Sequence, residues 1–255
     1  MERIYDILGY KDLNIYQDSS FFSFSLDSII LANYSTIRVR DKKIVDFCTG
    51  NAVVPIILTR RCDKIIDCVE IQEKLYDLAV KSIKLNKLEN RINVINDDVK
   101  VFSKNNLNVY DLVLCNPPYF KDLENSSKNL SKEKMIARHE ICINLDEVCH
   151  SANLVLKDNG TFSMIHRTER LIDVISCMKK YNIEPKKIMF IHEKSNLPSN
   201  MFLIEGQKNG KSGLKIDKPY ILYNEDNTMT DEYKNIQVEV NIWYKRVMMI
   251  VQVYI

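Results

Sequence analysis

The chain has 255 residues, 45% hydrophobic and 27% charged, the make-up of a soluble globular fold with a sizeable core. Its net charge of +2 alone implies no polyanion partner; no apolar run nears the roughly 20 residues of a membrane span, and charges interrupt "MERIYDILGYKDLNIYQ" where a signal peptide would be apolar. Seven cysteines without a Cys-x-x-Cys pair, and four scattered histidines, favour reduced thiols in a cytosolic protein over a disulfide framework or a metal site.

From Lys43 onward, short apolar runs alternate with helical patterns. "KIVDF" (43–47) predicts a buried strand, followed by a Gly-containing turn and an apolar helix over 53–61. "KIIDCVE" (64–70) predicts a second strand. In the next segment Leu75, Leu78, Ala79 and Ile83 fall on one helical stripe. "RINVIN" (91–96) and "YDLVLC" (110–115) predict strands three and four. Residues 121–134 are polar and predict a long mobile loop. "NLDEVCHSANLVL" places Leu145, Val148, Cys149, Ala152, Val155 and Leu156 on one helix face, with Asn144 and Glu147 as a capping box. Asn159-Gly160 predicts a turn into "TFSMIH" (161–166); a helix from Thr168 follows, then strands at 187–193 and 201–206. Regular alternation implies a mostly parallel sheet with helices on both faces. The last two strands, with no helix between them, make an antiparallel addition at one edge. Residues 237–255 are apolar and β-prone, with no assigned role.

Ligands of open α/β sheets bind outside the carboxyl ends of the strands, where strand order reverses. The four strand ends all carry suitable groups. The first is "DFCTGNA", where Gly50 allows close backbone approach and the helix start offers N–H groups. The second ends in Glu70, about 20 residues on, where nucleoside-binding folds grip ribose hydroxyls. The third ends in Asn96-Asp97-Asp98, and the fourth in "NPPY". Two prolines hold the preceding residues extended and donate nothing, so the carbonyls of that stretch can point into a pocket. Asn116 adds an acceptor and Tyr119 a flat ring, a set that suits a stacked planar group bearing –NH2. An amide is no general base, so such a site acts by orientation and transition-state hydrogen bonding.

These residues resemble a known family. "NPPY" after strand four is a signature of amino-group methyltransferases using S-adenosylmethionine. "FFSFSLDSIILA" (21–32), "DFCTGNAVVPIIL" (46–58), "VEIQEKLYDLAVKSIKLNKLENRI" (69–92), "NPPYF" (116–120), "ARHE" (137–140), "HRTERL" (166–171) and "LIEGQKNGKSGLKI" (203–216) together resemble the bacterial tRNA adenine N6-methyltransferases that modify adenosine 37 of valine tRNA. The resemblance implies a Rossmann-like class I fold, a mostly parallel seven-stranded sheet with an antiparallel edge strand. It implies one domain over 1–236, whose first 42 residues cap the site, and needs no metal. Asp46, Cys48, Gly50 and Asn51 would line the methionine part of the cofactor, Glu70 with Ile71 its ribose side, Asp98 with Val99 its adenine, and Asp27 its cap. Asn116, Pro117 and Tyr119 would hold the target base, flanked by Pro118 and Phe120, and Asn116 would also contact the cofactor.

The partner implied is tRNA, met by a monomer through Arg138, His139 and Arg167. Those residues could equally form an internal salt-bridge set with Glu140 and Glu169. Between Met178 and Lys218 nine lysines face four acids, which fits either a solvated face or an RNA surface including Lys186, Lys187, Lys208 and Lys211. The departure from the family turn is Ala52 in place of its last glycine. Rival readings are methylation of another amino group, release-factor glutamine or ribosomal guanine N2, and a degenerate RNA-binding protein. The first rivals usually carry a separate recognition domain, for which the roughly 40 residues before the first strand leave little room.

Overall fold

The computed structural model describes residues 2–7, 10–18, 26–118 and 143–235. The chain opens with an antiparallel hairpin, β1 (Glu2–Ile7) and β2 (Tyr10–Asp18), and helix α1 (Leu26–Tyr34). The expected alternation then follows: β3 (Lys43–Phe47), α2 (Val53–Leu58), β4 (Ile65–Glu70), α3 (Glu73–Leu85), β5 (Ile92–Asn96), α4 (Val99–Asn105) and β6 (Tyr110–Cys115). After the undescribed residues come α5 (Leu145–Val155), β7 (Leu156–Arg167), a 3-10 turn (Thr168–Arg170), α6 (Leu171–Lys180), β8 (Ile183–Lys194), β9 (Ser199–Lys208), β10 (Lys215–Ile216), β11 (Tyr220–Tyr223) and α7 (Asp231–Asn235).

The sheet runs β8-β9-β7-β6-β3-β4-β5, and the short β10 and β11 both pair with the outer side of β8. Every pairing is parallel except those of β9, which enters antiparallel between β7 and β8. The α6 crossover carries the chain one place past β7, and the hairpin return fills the slot. Central strands are buried on both faces, so they read as continuous apolar runs: Ile44, Val45 and Phe47 on β3, Leu112 to Cys115 on β6. One face packs α1, α2 and the hairpin around Ile44, Leu112 and Leu114; the other packs α4, α5 and α6 around Val45, Val113 and Phe162. The capping box at α5 is present, Asn144 accepting from Glu147 N and Glu147 from Asn144 N. Strand order reverses between β3 and β6, where Phe47 stands beside Cys115. The crevice therefore opens between the glycine turn and Asn116.

The hairpin was not legible in the sequence. Its β2 side buries Tyr10, Leu13 and Ile15 against α2 and α3. Asn86, at the end of α3, acts as an extra strand residue: Asn14 N donates to its Oδ1 (3.0 Å) and its Nδ2 donates to Asn14 O (2.6 Å). Asn86→Ala removes both bonds and is expected to cost about 1–3 kcal/mol in urea unfolding, at about 0.5–1.5 kcal/mol each. An unchanged midpoint would show that the hairpin is held by its apolar face alone.

Candidate active site

The turn after β3 is built on alternating left-handed residues, Cys48 (φ 57°), Gly50 (φ 57°) and Ala52 (φ 68°). Left-handed backbone disfavours any side chain, so two non-glycine residues there mark a turn held by its surroundings. A Cβ placed on Gly50 would meet nothing within 4 Å, so the turn's outer side is open. The methyl of Ala52 is fully buried and its N donates to Thr49 O. At the foot of the turn Asp46 is 1% exposed. Thr49 Oγ1 donates to its Oδ2 (2.6 Å), while Oδ1 is buried with no hydrogen-bond partner.

Burial pushes the Asp46 carboxyl up to about 7; Thr49 opposes the shift and the nearby Glu70 charge adds to it. Because the folded pKa lies above the unfolded one, the folded state keeps its proton while the unfolded state loses it. Stability therefore falls as pH rises from about 4 to about 7, by at most about 4 kcal/mol, and is flat above. Thermal melts of parent and Asp46→Asn should show the parent losing ground across that window and the variant not. Parallel curves would place the carboxylate in a better-solvated setting.

Glu70 closes β4 at 4% exposure. Its Oε2 accepts from Gly50 N (2.9 Å) and its Oε1 from Gln72 N (2.9 Å), so one carboxylate ties the glycine turn to the β4–α3 connection. Each oxygen has a second lone pair for a hydroxyl. Burial raises the Glu70 pKa against those backbone donors. Ile71 follows, 40% exposed, an apolar surface at the rim. Asn96 Nδ2 donates to Glu70 O (2.8 Å), locking the ends of β4 and β5 together. Asp98 caps α4, its Oδ1 accepting from Lys100 N (2.8 Å), and Val99 is buried beneath it.

Across the crevice, Asn116 Nδ2 donates to Ser28 Oγ of α1 (3.0 Å), which ties the amide to that helix. Asp27, the neighbour of Ser28, is buried in the first turn of α1. Sequence reasoning picked Asp27 from a motif but missed Ser28, which no spacing rule marks. Pro117 is buried and Pro118 exposed. Tyr119, Phe120, Arg138, His139 and the loop 121–134 lie outside the described residues, as does the tail 237–255.

Arg167 ends β7 and is exposed at the carboxyl edge of the sheet, the edge that carries Asn116. Among the lysines expected as RNA contacts, Lys208 needs correction. Lys208 is 9% exposed, and its Nζ donates to Asn108 Oδ1 and to the carbonyls of Asn153 and Leu156, so it is an internal strut. Desolvation lowers its pKa accordingly. Lys187 lies 3.7 Å from both Glu205 and Asp217 and donates to Tyr34 O. Lys186 reaches the carbonyl of Lys211 (2.9 Å), but both stand toward the amino edge. Arg167 pairs across Met201 with the level of Ile191, five residues beyond Lys186, or about 16 Å along the strand. Arg170 and Lys194, at the ends of the 3-10 turn and β8, are among the described cations that share Arg167's edge.

Residues 15–170 match the methyltransferase small domain family. The chain belongs to this family. It is therefore a methyltransferase, and S-adenosylmethionine is its methyl donor. Named relatives agree in kind. The chain is 26% identical over 186 residues to a tRNA1(Val) (adenine(37)-N6)-methyltransferase of Phocaeicola vulgatus, covering 73% of this chain and 77% of that one. To the enzyme of the same name from Flavobacterium johnsoniae it is 21% identical over 231 residues, 90% of this chain and 97% of the relative. The fold is shared with solved structures. A predicted O-methyltransferase from Agrobacterium tumefaciens superposes with a TM-score of 0.66 at 18% identity, over 83% of this chain and 95% of that one. TYW2 of M. jannaschii, solved with AdoMet, gives 0.52 at 18% identity, over 81% and 84%.

The methyltransferase site fits such a donor on its own chemistry. The open side of Gly50, the unpaired buried acceptor Asp46 Oδ1, the carboxylate of Glu70 and the apolar rim of Ile71 match a molecule with an ammonium, a ribose diol and a flat base. Among the described residues no group of His, Cys, Asp and Glu could hold a metal ion, and no helix is long and apolar enough to cross a membrane.

Proposed function

We propose that this methyltransferase acts on the exocyclic N6 amine of adenine in tRNA, at adenosine 37 of valine tRNA. The observation that carries the reading is Asn116 at the strand-order reversal, clamped by Ser28 and followed by two prolines, facing the glycine turn. The names of the relatives support the choice of base. S-adenosylmethionine supplies an electrophilic methyl group. Adenine N6 is a weak nucleophile because its lone pair is delocalised into the ring. Asn116 Oδ1 and the Pro117 carbonyl accept its two hydrogens, which pyramidalises the nitrogen and frees the lone pair for attack. Tyr119 supplies the stacking face for a base swung out of the anticodon loop. Transfer would break the bond between the methyl group and the sulfonium sulfur, leaving a neutral thioether, and one N6 hydrogen would pass to solvent as a proton. The reading places one catalytic domain over 1–236, monomeric and cytosolic, with its first 42 residues closing over the site.

RNA affinity comes from phosphates at the carboxyl edge. Arg167→Ala combined with Lys194→Ala should weaken tRNA binding several-fold and lower the slope of log K against log salt by about 0.7–0.9 per lost contact. Replacing Lys186 and Lys211, an edge away, should change both much less. Filter binding over a salt series decides it; equal losses from the two pairs would spread the footprint over both edges.

A further inference from the structure

Gln17 is an anomaly in β2. Leu13 and Ile15 alternate into the core at 3% and 0% exposure, and Gln17 continues their stripe at 7%, with Nε2 buried and without a hydrogen-bond partner. A buried amide with unspent hydrogens is penalised relative to an apolar residue, so its presence asks for an acceptor. Its place says which acceptor. Asn51 Nδ2 donates to Tyr16 O (3.3 Å), binding the end of β2 to the glycine turn. Leu13 and Ile15, on the same face of β2, pack in one core cluster with Ala52 and Val53, immediately beyond that turn. Further along, the chain enters α1, whose Ser28 holds Asn116. Gln17 thus stands where the hairpin meets the crevice.

Two unspent buried atoms then lie on strands that meet at the same turn, with opposite polarity: Asp46 Oδ1, an acceptor at the end of β3, and Gln17 Nε2, a donor next to the Tyr16 carbonyl that the turn's Asn51 binds. A single ligand satisfies both if it carries an ammonium and a carboxylate on neighbouring atoms. We propose that Gln17 is a cofactor-binding residue whose Nε2 donates to the α-carboxylate of the methionyl group, with Asp46 taking the adjacent ammonium. This rests on the assignment of S-adenosylmethionine as donor. It gives the hairpin a function: β2 supplies one wall of the amino-acid end of the pocket, so its latch at Asn86 also presets cofactor affinity.

Calorimetric titration with three probes tests the proposal: S-adenosylhomocysteine, decarboxylated S-adenosylmethionine and 5′-methylthioadenosine. The second keeps the ammonium without the carboxylate, and the third lacks both. Gln17→Met, unbranched and similar in length, should lower S-adenosylhomocysteine affinity about tenfold or more and change the other two less than about twofold. Gln17→Glu should lower it further, since it sets a carboxylate against a carboxylate. The unliganded melting temperature of Gln17→Met should equal or exceed the parent's, because an unpaired buried amide has gone. Equal losses for all three probes, or parent-like affinity for S-adenosylhomocysteine, overturn the role of Gln17. A parent protein that binds none of the three overturns the donor assignment itself.

Discussion

Asn116→Ala is expected to lower the rate of methyl transfer by about 10²–10³, the scale of removing one preorganised group aimed at a developing charge. Affinity for S-adenosylhomocysteine should fall far less than the rate, because in the proposed mechanism the main role of Asn116 is to accept from the target amine. The lost bond to Ser28 costs about 1 kcal/mol of stability, too little to unfold the chain. Asn116→Asp keeps an acceptor and should retain part of the rate, whereas Ser28→Ala, which frees the amide to rotate, should show a smaller loss at unchanged cofactor affinity. Single-turnover kinetics separate these effects from binding. A parent-like rate in Asn116→Ala would mean that the amine is not activated by acceptors at this strand end.

Glu70→Ala carries the second large effect. It removes the proposed acceptor for the ribose diol and releases Gly50 N and Gln72 N at once. S-adenosylhomocysteine binding should weaken by about 1–3 kcal/mol, roughly five- to more than a hundredfold. Glu70→Gln keeps one acceptor oxygen and removes a buried charge near Asp46, so it should lose less affinity while stabilising the unliganded protein above pH 7. Equal affinity in Glu70→Ala and parent, by calorimetry, would take Glu70 out of the site and leave it as a clasp for the turn.

The central sheet was readable because β3, β4 and β6 are largely buried, mostly apolar runs. Their polar strand ends were readable for the same reason: Asp46, Glu70 and Asn116 stand out against such runs. The hairpin was not. Most of β1 is exposed, with Ile4 and Tyr5 among charges, and its stability comes from Asn86 some 70 residues away, a contact no local pattern encodes. Gln17 was hidden by its type, since an amide in an alternating strand reads as a solvent-facing position. Lys208 misled because counting charge along the chain ignores strand parity and direction. Lys208 falls on an inward-facing position of β9, and Lys186 and Lys211 at the far edge. Asn159-Gly160 kept its left-handed residue (Asn159, φ 62°) but lies within β7 rather than before it, where the pairing with β6 shifts register. The antiparallel strand was expected from the short β8–β9 loop, yet its position between β7 and β8 follows from the α6 crossover.

The most direct measurement is transfer of labelled methyl groups from S-adenosylmethionine to unmodified valine tRNA, followed by digestion and mass spectrometry of the nucleosides. The label should appear in N6-methyladenosine at position 37, and disappear with a valine tRNA carrying guanosine there. Label in N2-methylguanosine, in a release-factor glutamine, or in no tRNA at all under conditions where S-adenosylhomocysteine binds, would contradict the assignment.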